Sequence, residues 1–240
     1  MAPLGEFALV IGAARWFRSG SNKAVATNAV ATKAVGVVGP EPDSRTRTDR
    51  GRAGGPPLGS QGVTDRAELL AQIAAKGVVR GKVVLSSGQE ADWYVDLRRV
   101  LLNGPAARLA GRVMLDLTRG LNFLAVGGLT LGADPVAAAM MHAAAEQGRP
   151  LNAFIVRKSE KAHGLQRRIE GPDVAGLPVL AVEDTSTTGQ SVLTAVDALT
   201  EAGAQVVGVA VVVDRGARPA VERRGLPYLA AFELADLGLS

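Results

Sequence analysis

Two adjacent carboxylates, Glu183 and Asp184, directly follow the apolar run VLAV. Four hydroxyl residues, 185–188, and then Gly189 come next, and a helical pattern begins there. Backbone N–H groups and hydroxyls at a helix N-terminus bind phosphate, because the helix dipole favours an anion at that end. The two carboxylates would repel a phosphate but accept hydrogen bonds from the vicinal hydroxyls of a sugar. The pattern therefore predicts a site for a ribose 5-phosphate moiety; the structural alternative is a solvated acidic turn capped by a threonine.

A second segment, RKSEKAHG, brings four possible cations together within seven residues: Arg157, Lys158, Lys161 and His163. The segment follows a predicted strand and ends in a glycine, so it has the composition of a flexible loop. Cations on a closing loop can neutralise the charge that develops on a departing diphosphate. An ordinary solvated basic loop has the same composition, and the segment alone does not separate the two interpretations.

Two further positions carry groups suited to anions. The glycine-rich segment 127–135 lies between a predicted strand and a predicted helix, and it is either a second anion-binding loop or a plain strand-to-helix turn. Arg215 follows another apolar strand, and a guanidinium pairs bidentately with a carboxylate. An arginine at the start of a surface loop is more often simply exposed to solvent, so the position of Arg215 alone does not establish a binding role.

The elements that must position these segments alternate between apolar strands and amphipathic helices from Thr64 onward. This alternation predicts an α/β domain with a mostly parallel central sheet flanked by helices, whose ligands bind beyond the carboxyl ends of the strands. Asp65 with Glu68 predicts a capping box at the first helix. The predicted strands are 82–85, 93–97, 123–128, 153–156, 178–183, 206–213 and 228–232, and the predicted helices are 65–77, 105–120, 134–148 and 189–202.

The excess positive charge lies entirely before residue 64. The chain of 240 residues has 27 Lys and Arg against 23 Asp and Glu, and residues 1–63 carry eight of these bases and four of these acids. The stretch 39–62 has almost nothing to bury, so residues 1–63 are expected to be a disordered extension. A transit-like leader and a mis-assigned start near Val63 are both open. Because residues 64–240 are neutral overall, the charge does not indicate a nucleic acid as partner.

Composition excludes several other classes of site. The chain has no cysteine, which excludes disulfides, thiolate nucleophiles and cysteine-ligated metals, and its two histidines lie far apart in sequence. Aromatic residues make up 4%, too few for the stacking surfaces of proteins that bind single-stranded nucleic acid. No uninterrupted apolar run approaches the roughly 18–20 residues that a membrane span needs. A cytoplasmic protein without a membrane or nucleic-acid partner is therefore expected.

Three segments resemble a known family. VLAVEDTSTTG resembles the phosphoribosyl diphosphate (PRPP) signature of the type I phosphoribosyltransferases, and it lacks the lysine of a Walker A loop. RKxxKxHG resembles the mobile catalytic loop of the orotate phosphoribosyltransferases, and LSSG followed by DWYVDLR resembles their N-terminal hood segment. The resemblance spans roughly residues 65–240. Ser86 and Leu131 depart from it, since many members of the family have lysine at both positions.

The resemblance implies a type I phosphoribosyltransferase fold with a small hood over about 64–103 and a core over about 104–240. It implies transfer of the phosphoribosyl group of PRPP to orotate, giving orotidine 5′-phosphate and diphosphate in pyrimidine synthesis, through an oxocarbenium-like transition state. Mg²⁺ would be held mainly by the oxygens of PRPP itself. The protein would be a homodimer in which the 157–164 loop reaches the partner's site. The alternatives are a purine or uracil phosphoribosyltransferase and a non-catalytic PRPP-sensing regulator on the same fold.

The same resemblance assigns roles to individual residues. Lys158, Lys161 and His163 would be catalytic and stabilise the departing diphosphate, while Thr187 and Arg215 would bind orotate. No residue is assigned as a general base. The residues implied to bind PRPP are Arg157, Lys158, Lys161, His163, Glu183, Asp184, Thr185, Ser186, Thr187, Thr188, Gly189, Gln190 and Ser191.

Overall fold

The computed structural model describes residues 58–84, 90–158 and 168–239, with side chains over 62–82, 92–158 and 168–239. Most of the predicted N-terminal extension, residues 1–57, therefore lies outside the described residues. Ser86 of the hood and the loop residues Lys161 and His163 also lie outside them.

The first described elements form the hood: a helix, a two-stranded antiparallel hairpin and a short second helix. Leu69 and Ile73, about one helical turn apart, are fully buried in the same hydrophobic cluster as residues of the core. This burial holds the hood helix against the rest of the domain. The bounds are α1 Leu58–Gln72, a π-helical turn Ile73–Gly77, β1 Val78–Val84, β2 Glu90–Val95 and α2 Arg98–Leu101.

The core is a six-stranded sheet with the strand order β5-β4-β3-β6-β7-β8, flanked by helices. All neighbouring strands are parallel except β4 and β5. The predicted α/β class with a mostly parallel sheet is confirmed. The bounds are α3 Gly104–Leu117, β3 Ala125–Leu129, α4 Ala133–Glu146, β4 Asn152–Val156, β5 Ile169–Glu170, β6 Pro178–Ser186, α5 Gln190–Glu201, β7 Gln205–Asp214, α6 Arg218–Glu222, β8 Tyr228–Glu233 and a 3₁₀ turn Leu234–Leu237.

Both faces of the central strand β6 are covered, which explains why its sequence is apolar without alternation. Leu180 and Val182 belong to one hydrophobic cluster, together with Met114 of α3 and Met140 of α4. Val179 and Ala181 belong to a second cluster on the opposite face, with α5. Burial of each large side chain contributes roughly 1.5–3 kcal/mol, so the two clusters hold β6 and the residues at its end in place.

Gly127 and Gly128 lie inside β3 and are buried there, in agreement with the predicted strand 123–128, so their assignment to an anion-binding loop over 127–135 is wrong. A Cβ atom at Gly127 would overlap the carbonyl oxygen of Phe154, and one at Gly128 would overlap that of Val182. These glycines serve close packing between neighbouring strands. The loop that follows β3 is confined to residues 130–132.

Asp65 is not a helix cap, and the predicted capping box is wrong. Helix α1 begins at Leu58, inside the stretch predicted as extension, and Asp65 lies in its middle. The Asp65 carboxylate accepts two hydrogen bonds from Arg112 of α3, at 2.6 Å from Nε and 3.1 Å from Nη2. The partner lies on another helix, 47 residues away, where no local pattern shows it.

Four short elements of the described chain were not predicted: α2, β5, α6 and the 3₁₀ turn Leu234–Leu237. Each has five residues or fewer, too short for a hydrophobic period to be recognised. The bounds of the longer elements agree with the prediction to within a few residues, except that α1 begins at Leu58, β1 begins at Val78 and β6 continues through Ser186. None of the helices within the described ranges is long and apolar enough to cross a bilayer.

We expect Asp65→Ala to lower the free energy of unfolding by about 2 kcal/mol, because the Arg112 guanidinium would be left partly buried without its carboxylate. The Arg112 side chain is 26% exposed and that of Asp65 12%. Asp116→Ala is the matched control, since Asp116 pairs with Arg119 at the surface, and a change within about 0.5 kcal/mol is expected. Urea denaturation measures both; equal losses would contradict a special role for the buried pair.

Candidate active site

Four loops that were singled out in the sequence follow the carboxyl ends of parallel strands. Residues 130–132 follow β3, Arg157 and Lys158 follow β4, residues 187–189 follow β6, and Arg215 follows β7. In a parallel sheet these ends share one edge, so the four loops share one side of the domain. The expectation that the chemistry lies at this edge agrees with the topology.

An open cleft of about 470 Å³ lies between this edge and the hood. Of the residues implied to bind PRPP, five line it: Lys158, Glu183, Asp184, Thr185 and Ser191. The other residues that line the cleft are Tyr94, Val95, Asp96, Arg98, Leu129, Thr130, Leu131 and Gly132.

The acidic pair at the floor of the cleft is held by its own backbone and by a close glycine. The N–H of Asp184 donates to Glu183 Oε1 at 3.2 Å, and the N–H of Thr185 donates to Asp184 Oδ1 at 2.6 Å. A Cβ atom at Gly132 would overlap the Glu183 carboxylate. Glycine at this position therefore lets the β3–α4 loop pass directly over the two acids.

Burial changes the ionisation of this pair. Glu183 is 4% exposed, and its burial, together with the charge of Asp184, raises its pKa to about 8. Burial also raises the pKa of Asp184, opposed by the hydrogen bond from the Thr185 N–H and by the positive charge of Arg98. Without a ligand, the pair therefore retains a proton near neutral pH.

The loop over the acids is anchored to the start of α4. Thr130 Oγ1 donates to Asp134 Oδ2 at 2.6 Å, and Asp134 lies in the first turn of that helix. The other carboxylate oxygen of Asp134, Oδ1, is buried and has no hydrogen-bond partner among the described residues. Asp134 was expected only to start the helix, and its contact with Thr130 depends on how the loop folds back.

The hydroxyl-rich loop is shorter than the sequence predicts. Thr185 and Ser186 are the last residues of β6, so the turn itself comprises residues 187–189. Thr187 and Thr188 are exposed, and Thr188 Oγ1 accepts a hydrogen bond from the N–H of Gln190 at 3.3 Å. Gly189 has a φ of 79°, which a residue with a Cβ rarely adopts, and it forms the N-cap of α5. This turn presents hydroxyls at the N-terminus of a 12-residue helix.

Arg215 is held towards the hood. Its N–H donates to the carbonyl oxygen of Ser186 at 2.8 Å, and its guanidinium lies 5.6 Å from the centre of the Trp93 ring. Its Nε is buried and has no hydrogen-bond acceptor in the described part of the chain. A half-buried guanidinium with an unused donor is suited to bind an anionic ligand.

The turn after β7 is fixed by Asp214. Its Oδ1 accepts hydrogen bonds from the N–H groups of Gly216 and Ala217 and from the Tyr228 hydroxyl, all at 2.9 Å. Burial and this hydrogen bond raise the pKa of Tyr228, so the hydroxyl remains a donor. Asp214 thereby sets the direction in which the chain leaves β7 and with it the position of Arg215.

The ends of the cationic loop are tied together. The N–H of Arg157 donates to the carbonyl oxygen of Arg168 at 2.8 Å, and Arg157 Nη1 lies 3.3 Å from Glu170 Oε1. Arg157 therefore faces Glu170 and is not among the residues that line the cleft, whereas Lys158 is. Lys161 and His163 belong to the segment 159–167, which lies outside the described residues.

The hood contributes residues that the sequence did not single out as binding groups: Tyr94, Asp96 and Arg98. A signal was present, because Asp96 and Arg98 carry opposite charges two residues apart at the end of a predicted strand. Such charge pairs are common at protein surfaces. Only the position of the hood in the tertiary structure shows that Asp96 and Arg98 line the cleft.

We expect Glu183→Gln to raise the thermal midpoint of unfolding at pH 8 by roughly 3–6 °C. Between pH 4.5 and about 8, the unfolded chain ionises Glu183 while the folded chain retains its proton, so the wild type loses stability as pH rises through this window. Glutamine is neutral throughout. Scanning calorimetry should show a larger gain at pH 8 than at pH 5, and none for the exposed control Glu222→Gln; equal gains at both pH values would contradict this explanation.

Comparison with known proteins agrees with this site. Residues 106–226 match the family model for the phosphoribosyl transferase domain. An orotate phosphoribosyltransferase of Streptomyces avermitilis is 64% identical over 177 residues, which are 72% of this chain and 97% of that protein. One from Mycobacterium avium is 60% identical over 174 residues, which are 72% of this chain and 96% of that protein.

Solved structures show the same relationship. The crystal structure of Mycobacterium tuberculosis orotate phosphoribosyltransferase in complex with Fe(III) dicitrate has a TM-score of 0.67 at 59% identity, covering 73% of this chain and 99% of that one. The structure of the same enzyme in complex with PRPP has a TM-score of 0.64 at 54% identity, with the same coverage. The chain therefore belongs to the phosphoribosyltransferase family and, within it, to the orotate phosphoribosyltransferases.

Proposed function

We propose that this chain transfers the 5-phosphoribosyl group of PRPP to orotate, releasing diphosphate and forming orotidine 5′-phosphate for pyrimidine synthesis. The observation that carries the proposal is the arrangement at the sheet edge. The acidic pair and the hydroxyl turn lie at the end of β6, and the base of the cationic loop follows β4, on the other side of β3 in the sheet. The relatives of high identity, which this chain matches over nearly their whole length and one of which was solved with PRPP, support it.

The acidic pair would hold the ribose and the hydroxyl turn its 5-phosphate. Ionised Glu183 and Asp184 would accept hydrogen bonds from the two ribose hydroxyls, a role for which their position in the cleft is suited. Thr185 to Ser191, which extend from the end of β6 into the first turn of α5, would surround the phosphate with hydroxyls and backbone N–H groups. The Thr188 hydroxyl, whose oxygen accepts from the Gln190 N–H, would donate its own proton to the phosphate.

The cationic loop would act on the leaving group. Lys158 lines the cleft, and the two ends of the loop are joined by the pairing of β4 with β5. Lys161 and His163 would approach the diphosphate as charge develops on it, and loop closure would exclude water. Arg157 would bind PRPP after leaving Glu170. We propose that the loop serves the partner's site in a homodimer.

Mg²⁺ would enter bound mainly to the oxygens of PRPP. The donors that face the cleft, the Asp184 carboxylate and the hydroxyls of Thr130 and Thr185, are hard oxygen ligands and fit such an ion. When bound, the ion would supply positive charge to the diphosphate. The protein residues would orient the ribose and hold the leaving group.

Arg215 and Thr187 would bind orotate. The guanidinium lies under the hood with an unused Nε donor, and the carboxylate of orotate is the group that distinguishes it from uracil. The neutral bases of the alternative reactions have no carboxylate to pair with it. A buried charge pair would therefore give selectivity as well as affinity.

An assay of base-dependent diphosphate release tests the activity. With PRPP and Mg²⁺, orotate should support turnover, whereas uracil, adenine and hypoxanthine should not. Turnover with one of those three bases instead would establish the purine or uracil alternative. Binding of PRPP without diphosphate release in the presence of orotate would establish a regulatory protein on this fold.

We expect Arg215→Ala to raise the KM for orotate at least 30-fold, because loss of a desolvated charge pair costs about 2 kcal/mol or more. The KM for PRPP should change less than threefold. The KM for orotate of Arg215→Lys should lie between those of the wild type and Arg215→Ala, since lysine keeps the charge but lacks the planar guanidinium. Steady-state kinetics measure all three; a parallel rise in both KM values would place Arg215 outside the orotate site.

We expect Lys161→Ala to lower kcat about 100-fold or more and to change the Kd for PRPP less than threefold, because its charge would act mainly as the diphosphate leaves. Single-turnover kinetics and equilibrium titration separate the two quantities. Lys76 is an exposed lysine of the π-helical turn, and Lys76→Ala is the control. Its kcat and its Kd for PRPP should equal those of the wild type. Equal losses in kcat and in PRPP affinity would contradict the leaving-group role.

A further inference from the structure

Arg98 lies at the hood side of the cleft, at the first position of α2. Its Nε donates to Asp96 Oδ1 at 2.9 Å, and its own backbone N–H donates to the same oxygen at 3.3 Å. Its Nη2 lies 3.5 Å from the Tyr94 hydroxyl. These contacts hold the guanidinium in one orientation while the side chain remains 46% exposed. Arg98 is thus a positioned cation that faces open space.

The guanidinium retains donors for a ligand. It has five N–H groups, and within the described residues Nη1 donates no hydrogen bond. A planar pair of N–H groups matches two oxygens of a phosphate, and Arg binds such groups bidentately. The free side of Arg98 is therefore suited to a phosphate oxygen pair.

The charges of the cleft show why a cation is needed here. Among the described residues that line it, Asp96, Glu183 and Asp184 are acidic, and Arg98 and Lys158 are basic. PRPP is strongly anionic at both ends. With the 5-phosphate at the turn before α5, as proposed above, the diphosphate at the opposite end of PRPP would lie towards Gly132 and the hood.

Arg98 and Arg215 serve different parts of the site. Trp93 and Tyr94 are neighbours on β2, so their side chains point to opposite faces of the hairpin. Trp93 lies over Arg215, whereas Tyr94 contacts Arg98. Only Arg98 is among the residues that line the cleft with the acidic pair.

We propose that Arg98 binds the diphosphate group of PRPP, with Asp96 and Tyr94 as positioning residues. Leu131, 67% exposed, lines the same cleft at a position where the family resemblance leads one to expect lysine. Arg98 supplies from the hood a cation that the β3–α4 loop lacks. This inference rests on the proposed function and adds to it a binding residue for the leaving group.

Isothermal titration of the full chain with inorganic diphosphate in the presence of Mg²⁺ tests the assignment. Arg98→Ala and Arg98→Gln should each weaken diphosphate binding about tenfold or more, and the affinity for ribose 5-phosphate should stay within twofold of the wild type. Arg99→Ala is the matched control, an exposed neighbour that does not line the cleft, and it should bind both ligands as the wild type does.

Unchanged diphosphate affinity in both Arg98 variants would overturn the inference, as would an equal loss for ribose 5-phosphate, which would indicate a distorted cleft. If a further titration with orotate showed the only loss of affinity, Arg98 would be assigned to the base and not to the diphosphate. These outcomes are distinct from failure of the proposed function, in which the wild-type chain itself would release no diphosphate with orotate and PRPP.

Leu131→Lys in the Arg98→Ala background provides a second test. If the two positions face one diphosphate, a lysine on the loop should recover at least half of the lost affinity on a logarithmic scale. Recovery with Leu131→Met, which is similar in size and uncharged, would contradict an electrostatic explanation. Failure of the lysine to recover binding would show that the two positions do not share a ligand.

Discussion

The Glu183 carboxylate is buried at the end of the central strand, and the surrounding site is arranged to accommodate it. Apolar clusters on both faces of β6 fix the strand, so the acidic pair cannot move away from the sheet edge. Gly132 lets the neighbouring loop pass over the pair, and Thr130 ties that loop to Asp134 at the start of α4. Burial of the acid raises its pKa, and in the proposed function the same burial would give a rigid pair of acceptors for the ribose.

Positive charge is placed around this acidic centre in separate groups. Lys158 and the loop beyond it stand at the end of β4, Arg98 extends from the hood, and Arg215 leaves β7 beneath Trp93. In the proposed function, these separate cations would bind the phosphate, diphosphate and carboxylate groups of the substrates, while the neutral ribose would contact the carboxylates. The hood is essential to the arrangement, since Arg98 and Trp93 belong to it.

Local sequence patterns were sufficient to predict the parts of the site that lie on one strand and in the loop after it. The sequence VLAVEDTSTTG contains its strand, its acids and its helix start in order, and the structure has them in that order. Prediction was wrong where a residue has a distant partner. Gly127 and Gly128 pack against neighbouring strands, and Asp65 pairs with Arg112 rather than capping a helix.

The amino-acid sequence by itself determined the α/β alternation, the loops that carry the chemistry and the family resemblance, because each depends on residues close together in the chain. Only the tertiary structure decided which loops face one cleft, that Glu183 is buried, and that Asp96 and Arg98 stand beside it. Burial and charge proximity arise from elements far apart in sequence that pack together. For the same reason the role of Gly132 becomes visible only once the β3–α4 loop lies over β6.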